Sequence, residues 1–171
     1  MAVSLTDYEQ AFENWLIDNH IQYVVVDQQK RRIFARSRIK SFDFLLYPAS
    51  SQPVIAEVKG RKFKGKSLAG LTGLECWVTM DDVRGLIRWE QVFAEGFAAS
   101  FIFAYEFENI VVEADGREVY DFQENQYMFY AVKLDDYREF MKVRSPKWQT
   151  VTLPAARFRE FAIPVRELLL G

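Results

Sequence analysis

A chain of 171 residues, 50% hydrophobic and carrying 15 Phe, 8 Tyr and 4 Trp, has the size of one domain and ample material for a core. One cysteine (Cys76) and one histidine (His20) exclude an internal disulfide and a Cys/His zinc site, and without a Gly-x-Ser-x-Gly elbow the triad hydrolases are excluded too, so any metal must be held by oxygen. No apolar run reaches the ~20 residues that span a bilayer, and Met1 to Asp7 has no basic-then-apolar leader, which together predict a cytoplasmic protein.

Leu5, Tyr8, Phe12, Trp15 and Leu16 recur at helical spacing and predict a first helix over 5–19. Extended stretches follow at 21–26, 39–47 and 53–59, the last two separated by Pro48-Ala-Ser-Ser-Gln-Pro53 and therefore expected to form a hairpin. A Gly-bearing loop over 68–79 leads to Asp81 or Asp82, either of which can cap a second helix running to about Phe97. Ser100 to Glu106 reads as a buried strand. Beyond Phe107 the pattern predicts a strand at 127–134, a helix at 135–141, a strand at 148–153 and short helices at 154–161 and 164–170. Helix, three strands, helix, strand implies a mixed α/β sheet, because the last strand returns after a helical crossover. Neither repeats nor a long linker divide the chain, so residues 1–171 are read as one domain.

Charge is segregated along this order. Lys30 to Lys66 holds eleven basic residues and only two acids, Asp43 and Glu57, in a chain whose net charge is −2. Side chains alternate along a strand, so Glu57 and Lys59 share one face, and mirroring the hairpin about Ser50 and Ser51 sets Asp43 opposite them within one residue of register. Two converging carboxylates repel unless a cation or a shared proton neutralises them, and hard oxygen ligands select Mg²⁺, with Mn²⁺ as a substitute. The cations Arg31, Arg32, Arg36, Arg38 and Lys40 before the hairpin, and Arg61, Lys62, Lys64 and Lys66 after it, would surround the carboxylates as a phosphodiester substrate requires. Phe63, Gly65 and Gly70 suggest a loop able to close on nucleic acid.

Asp43, thirteen intervening residues and then Glu57-Val58-Lys59, on a hairpin behind a helix, resemble the PD-(D/E)XK nuclease superfamily, with Phe42 where the proline of the name would stand. Within it the sequence looks most like the Holliday-junction-resolvase-like and small restriction-endonuclease-like members. The resemblance implies a restriction-endonuclease-like αβββαβ core over 5–107, with 108–171 as a C-terminal α+β extension. It implies hydrolysis of nucleic acid, DNA rather than RNA, with Asp43 and Glu57 as metal ligands and Lys59 as the positioning cation. It also implies an auxiliary acid on the first helix, for which Glu9, bordering the buried face, is preferred over Glu13. Thr6-Asp7-Tyr8-Glu9 equally fits a capping box in which Glu9 only serves the backbone. Homodimers are common among such folds. The competing readings are an inactive nucleic-acid-binding module and a homodimeric interaction protein.

Other residues divide between bland and functional roles. Glu90 falls inside the apolar arc of the second helix and needs either a core partner or a place in the site, while Arg88 and Gln91 lie on its polar stripe. Trp77, Trp89 and Trp148 could stack bases but, in a chain this rich in large aromatics, are read mainly as core, Cys76 as a small buried hydrophobe, and His20 as a helix C-terminal residue.

Overall fold

The computed structural model describes residues 5–26, 40–93 and 95–171; Arg31, Arg32, Arg36 and Arg38 lie outside the described residues. The periodic N-terminal segment folds as α1 (Asp7–Asp18), started by Thr6, whose Oγ1 accepts the Glu9 N–H at 3.2 Å. His20 ends it in the left-handed region with φ 58°. The chain then lays down β1 (Gln22–Val25), β2 (Phe44–Tyr47) and β3 (Val54–Phe63). After β4 (Val78–Thr79), helix α2 (Met80–Phe93) crosses over to β5 (Ala98–Phe107).

Sequence alone ended the third strand at Lys59, but β3 continues through Gly60-Arg61-Lys62 to Phe63. Ten parallel pairs with β5, from Val54 opposite Ala98 to Phe63 opposite Phe107, override the glycine and the charges that read as a loop. Phe63 is accordingly 1% exposed and packs against Phe107 at 5.7 Å between ring centres, which corrects its reading as part of a mobile flap.

The C-terminal third builds onto the same sheet. Strand β6 (Tyr120–Phe122) pairs with β7 (Asn125–Lys133), and β7 runs antiparallel beside β5. Helix α3 (Leu134–Phe140), strands β8 (Lys142–Ser145) and β9 (Thr150–Thr152), helix α4 (Ala155–Phe161), strand β10 (Ile163–Pro164) and helix α5 (Val165–Leu170) complete the chain. The main sheet has the order β1-β2-β3-β5-β7-β10, and a second, three-stranded sheet has the order β4-β9-β8.

Alternation along the central strands divides two cores across the main sheet. Val54, Ala56, Val58, Ile102 and Ala104 face α1 and α5 through Phe12, Trp15, Leu16, Val165 and Leu169. Ile55, Phe101, Phe103 and Tyr105 face α2, α3 and α4 through Val83, Leu86, Trp89, Tyr137 and Phe158. Gly60, on the α1 side, lets the helix approach: a Cβ there would stand 2.1 Å from Tyr8 Cδ2. Tyr8 meets Tyr127 edge-on at 6.3 Å and cannot retreat without breaking that contact. Gly60→Ala is expected to cost about 1–3 kcal/mol in urea unfolding, with part of the loss recovered when Tyr8→Ala is added.

Candidate active site

The hairpin and the helix that crosses over it converge on one polar cluster. Phe44 pairs with Ala56, one residue from the mirror expected by sequence, which sets Asp43 against Glu57. The Asp43 N–H donates to Ala56 O at 3.1 Å, and its Oδ2 accepts the Val58 N–H at 2.8 Å. Asp43 and Glu57 are 6% and 8% exposed, and their side chains hydrogen-bond to each other. Lys59 Nζ lies 3.8 Å from Glu57 Oε1 on the same face of β3. The trio singled out from sequence is therefore brought together.

A fourth member was read from sequence only as a possible cap. Asp82, 2% exposed, takes Lys59 Nζ on Oδ2 at 2.8 Å and Lys40 Nζ on Oδ1. The same carboxylate accepts the Thr79 N–H at 2.9 Å while Thr79 Oγ1 accepts the Asp82 N–H at 3.0 Å. Thr79 is thus the cap of α2, and Thr79-Met80-Asp81-Asp82 is a capping box whose acid also anchors the site lysine. That four-residue signal was legible; its link to Lys59 was not, because it needs the packing of α2 on β3.

Packing fixes the approach to Asp43 as well. Phe42 leaves the alternation of β2 and turns onto α2, with Trp89 and Phe93 at 5.3 and 6.0 Å between ring centres. Trp89 Nε1 donates to Lys40 O at 2.7 Å, and Gly85 allows the contact, since a Cβ there would lie 3.1 Å from that same carbonyl oxygen. Trp89 is therefore core, as expected.

Burial drives the Glu57 carboxyl well above its ordinary value; the Asp43 charge adds to the rise, Lys59 opposes it, and Asp82 reinforces it. Asp82 behaves oppositely. Burial works to raise it, but Lys59 and Lys40 together hold it below the ordinary carboxylate value. Lys40, despite partial burial, is raised by its bond to Asp82.

Glu9 is buried on α1, in the turn between Tyr8, which covers Gly60, and Glu13, which bonds Tyr23 of β1. Its backbone N–H takes the Thr6 cap, the half of the capping box that involves no side chain of Glu9.

Two of the cations expected to face phosphates, Arg61 and Lys40, have partners within the protein. Arg61 is half-buried: it donates through Nη1 to Gly60 O at 2.7 Å and through Nη2 to Trp77 O, and its guanidinium covers the Trp77 ring at 4.0 Å. Burial lowers its pKa. Arg61 is a structural cation, and Trp77 is its platform rather than a free stacking surface. Lys40 belongs to the Asp82 cluster, whereas Lys62, Lys64 and Lys66 are exposed. Glu90 takes the bland option: its Oε2 accepts the Ala99 N–H at 2.9 Å at the start of β5. Arg88 and Gln91 are exposed, and Cys76 is buried with its thiol pushed up by burial.

The donor set fits a hard divalent cation. Two buried carboxyl groups lie against each other, and a cation bound by Asp43 and Glu57 would offset the charge of Asp43 that helps to raise Glu57. Among the described residues no group of three or more His, Cys, Asp or Glu is arranged around a metal position. Two protein carboxylates, with water and substrate oxygens completing an octahedron, is the habit of Mg²⁺.

No helix among the described residues is long and apolar enough to cross a membrane. No protein-family model matches the chain, and no curated protein matches it by sequence. A solved structure does: Hjc, a Holliday junction resolvase from the archaeal hyperthermophile Archaeoglobus fulgidus, superposes with TM-score 0.53 at 11% identity, covering 97% of this chain and 98% of that one. The likeness expected from the sequence is met in the architecture: this chain has the restriction-endonuclease-like fold of that resolvase over nearly its whole length.

Proposed function

We propose that the chain is a divalent-metal-dependent nuclease that hydrolyses phosphodiester bonds of DNA. The observation that carries this reading is the buried, hydrogen-bonded pair Asp43 and Glu57 with Lys59 at 3.8 Å, a costly arrangement of charge that a cation would relieve. Because a solved protein with this fold is a Holliday junction resolvase, branched DNA is the first substrate to test.

In this reading Asp43 and Glu57 hold Mg²⁺ or Mn²⁺, which when bound polarises the phosphate and acidifies a water. Asp43 holds its carboxylate in place through the Val58 N–H, and Asp82 holds the Lys59 ammonium beside Glu57. There Lys59 orients the attacking water and offsets the negative charge that grows on the phosphate oxygens. Exposed Lys62, Lys64 and Lys66 take flanking phosphates without reading bases. Glu9 is assigned the auxiliary acid role on α1, and the protein is assigned to homodimers on the precedent of such folds.

The test is incubation of plasmid, single-stranded and four-way-junction DNA with protein in Mg²⁺, Mn²⁺ or EDTA. Lys59→Ala is expected to lower cleavage by roughly 10²–10⁴-fold while DNA binding persists. Undiminished cleavage by Lys59→Ala would assign the activity to another site. Salt-sensitive binding with no cleavage in either metal would leave a nucleic-acid-binding module. Neither binding nor cleavage would leave an interaction protein.

A further inference from the structure

The β8–β9 hairpin carries a large aromatic side chain that the fold does not use. Trp148 sits at its tip, 70% exposed, and the described contact to its ring is from the neighbouring Lys147 at 5.3 Å. The tip is a tight turn rather than a loose loop: the Gln149 N–H donates to Pro146 O at 3.3 Å, the Trp148 N–H to Ser145 Oγ at 3.3 Å, and Gln149 takes φ 50°. Val143 beside it is 68% exposed. Lys142, Arg144 and Lys147 add positive charge, all three are exposed, and none makes an ion pair among the described residues. The hairpin thus presents an aromatic ring among three cations in a chain that is acidic overall.

Two anchors fix this hairpin to the candidate active site. The first is at the start of α2: β9 pairs with β4, and the Met80 N–H donates to Gln149 O at 2.9 Å, so the residue next to Trp148 is bonded two positions before Asp82. The backbones at 148 and 82 are therefore within about 15 Å, given Cα steps of about 3.8 Å and strand spacing of about 4.8 Å. The second anchor is at β3: the Trp77 ring takes the guanidinium groups of Arg61, two residues past Lys59, at 4.0 Å, and of Arg144 of β8 at 4.8 Å. Both elements that hold Lys59 thus also hold the hairpin.

We propose that the β8–β9 hairpin is a nucleic-acid contact arm, in which Trp148 stacks on a base and Lys142 and Lys147 bind the flanking phosphates. This deepens the nuclease reading and rests on it. An indole ring stacks only on a base face that is not already covered by its neighbours, so the arm selects DNA with unpaired or splayed bases close to the cut over uninterrupted duplex. Positive charge and exposed ring together match that ligand, whereas an ordinary charged edge strand would need only the lysines.

The test is binding of dye-labelled single-stranded, four-way-junction and duplex DNA in EDTA, where no cleavage occurs, by wild-type protein, Trp148→Ala and Trp148→Phe. Trp148→Ala is expected to weaken single-strand and junction binding by roughly tenfold or more while duplex binding moves by less than about twofold, and Trp148→Phe retains most of the preference. An unchanged melting temperature checks that the exposed substitution leaves the fold intact. Equal junction binding by Trp148→Ala and wild type would overturn the arm and leave the nuclease reading standing. A wild-type dimer that Trp148→Ala converts to a monomer would overturn it in favour of a contact between two copies. Failure of the wild-type protein to bind any of the three DNAs overturns both readings together.

Discussion

Replacing Glu57 by Gln is expected to abolish metal-dependent cleavage and yet raise the melting temperature of the metal-free protein at neutral pH. Glu57 is buried against Asp43, and burial followed by the Asp43 charge lifts its pKa well above the ordinary glutamate value. The folded chain therefore keeps a proton that the unfolded chain releases just above pH ~4.5. Stability is full below that point and falls as pH rises through the elevated folded value. Gln makes the same hydrogen bond without the charge, so its melting temperature should stay flat over this window while that of the wild type declines in EDTA. The expected gain at neutral pH is about 1–3 kcal/mol. Mg²⁺ should restore the wild type by binding the folded form and should leave Glu57→Gln unmoved. Cleavage should fall by more than the ~10–100-fold associated with loss of an outer-shell partner. A wild-type melting temperature that is flat with pH and indifferent to Mg²⁺ would refute this account of the carboxylate pair.

Asp82→Asn should have the opposite effect on stability. The carboxylate side chain is 1% exposed and compensates Lys59, itself 17% exposed, and Lys40, 44% exposed. Asn keeps an acceptor for the Thr79 N–H but strands the ammonium of Lys59 in a buried place, an expected loss of about 3–5 kcal/mol. Lys40→Ala should cost much less, because the retained Asp82 still pairs with Lys59. The pH dependence also reverses. Asp82 is held below the usual aspartate range, so its contribution is present above pH ~4 and disappears as pH falls through the lower folded value. Calorimetry of wild type and variant between neutral and acid pH reads both effects: the difference between them should shrink on acidification. Cleavage should drop roughly 10–100-fold, the range expected when a positioning partner is lost.

The part of the site carried by two neighbouring strands was legible from residue order. Alternation put Glu57 and Lys59 on one face, and the Pro48-to-Pro53 break set the hairpin closely enough to bring Asp43 across, with the actual pairing one residue away because the irregular turn fixes the offset. The helix that completes the cluster was legible as a helix, but the role of Asp82 was not: a capping residue looks the same in sequence whether or not a buried lysine reaches it. Basic composition near the hairpin overstated the number of free cations, since Arg61 is folded onto Trp77 and Lys40 onto Asp82. Conversely, Trp148 was read mainly as core, with base stacking as the lesser alternative, and only the packing reveals that it is 70% exposed with Lys147 against its ring among the described residues. The short strands β4, β6, β8 and β10 escaped the reading because pairing partners far along the chain, rather than local pattern, make them strands.

The bond from the Val58 N–H to the Asp43 side chain has a bearing on how the molecule could fail. Sliding one ribbon past the other by a single position would point Asp43 at the apolar layer under α1 and leave that amide without its acceptor. There is then no half-aligned hairpin with half the chemistry. Partly misfolded preparations should contain a fully competent fraction and an inert one, so that heating or denaturant lowers the number of working molecules without changing the turnover of each.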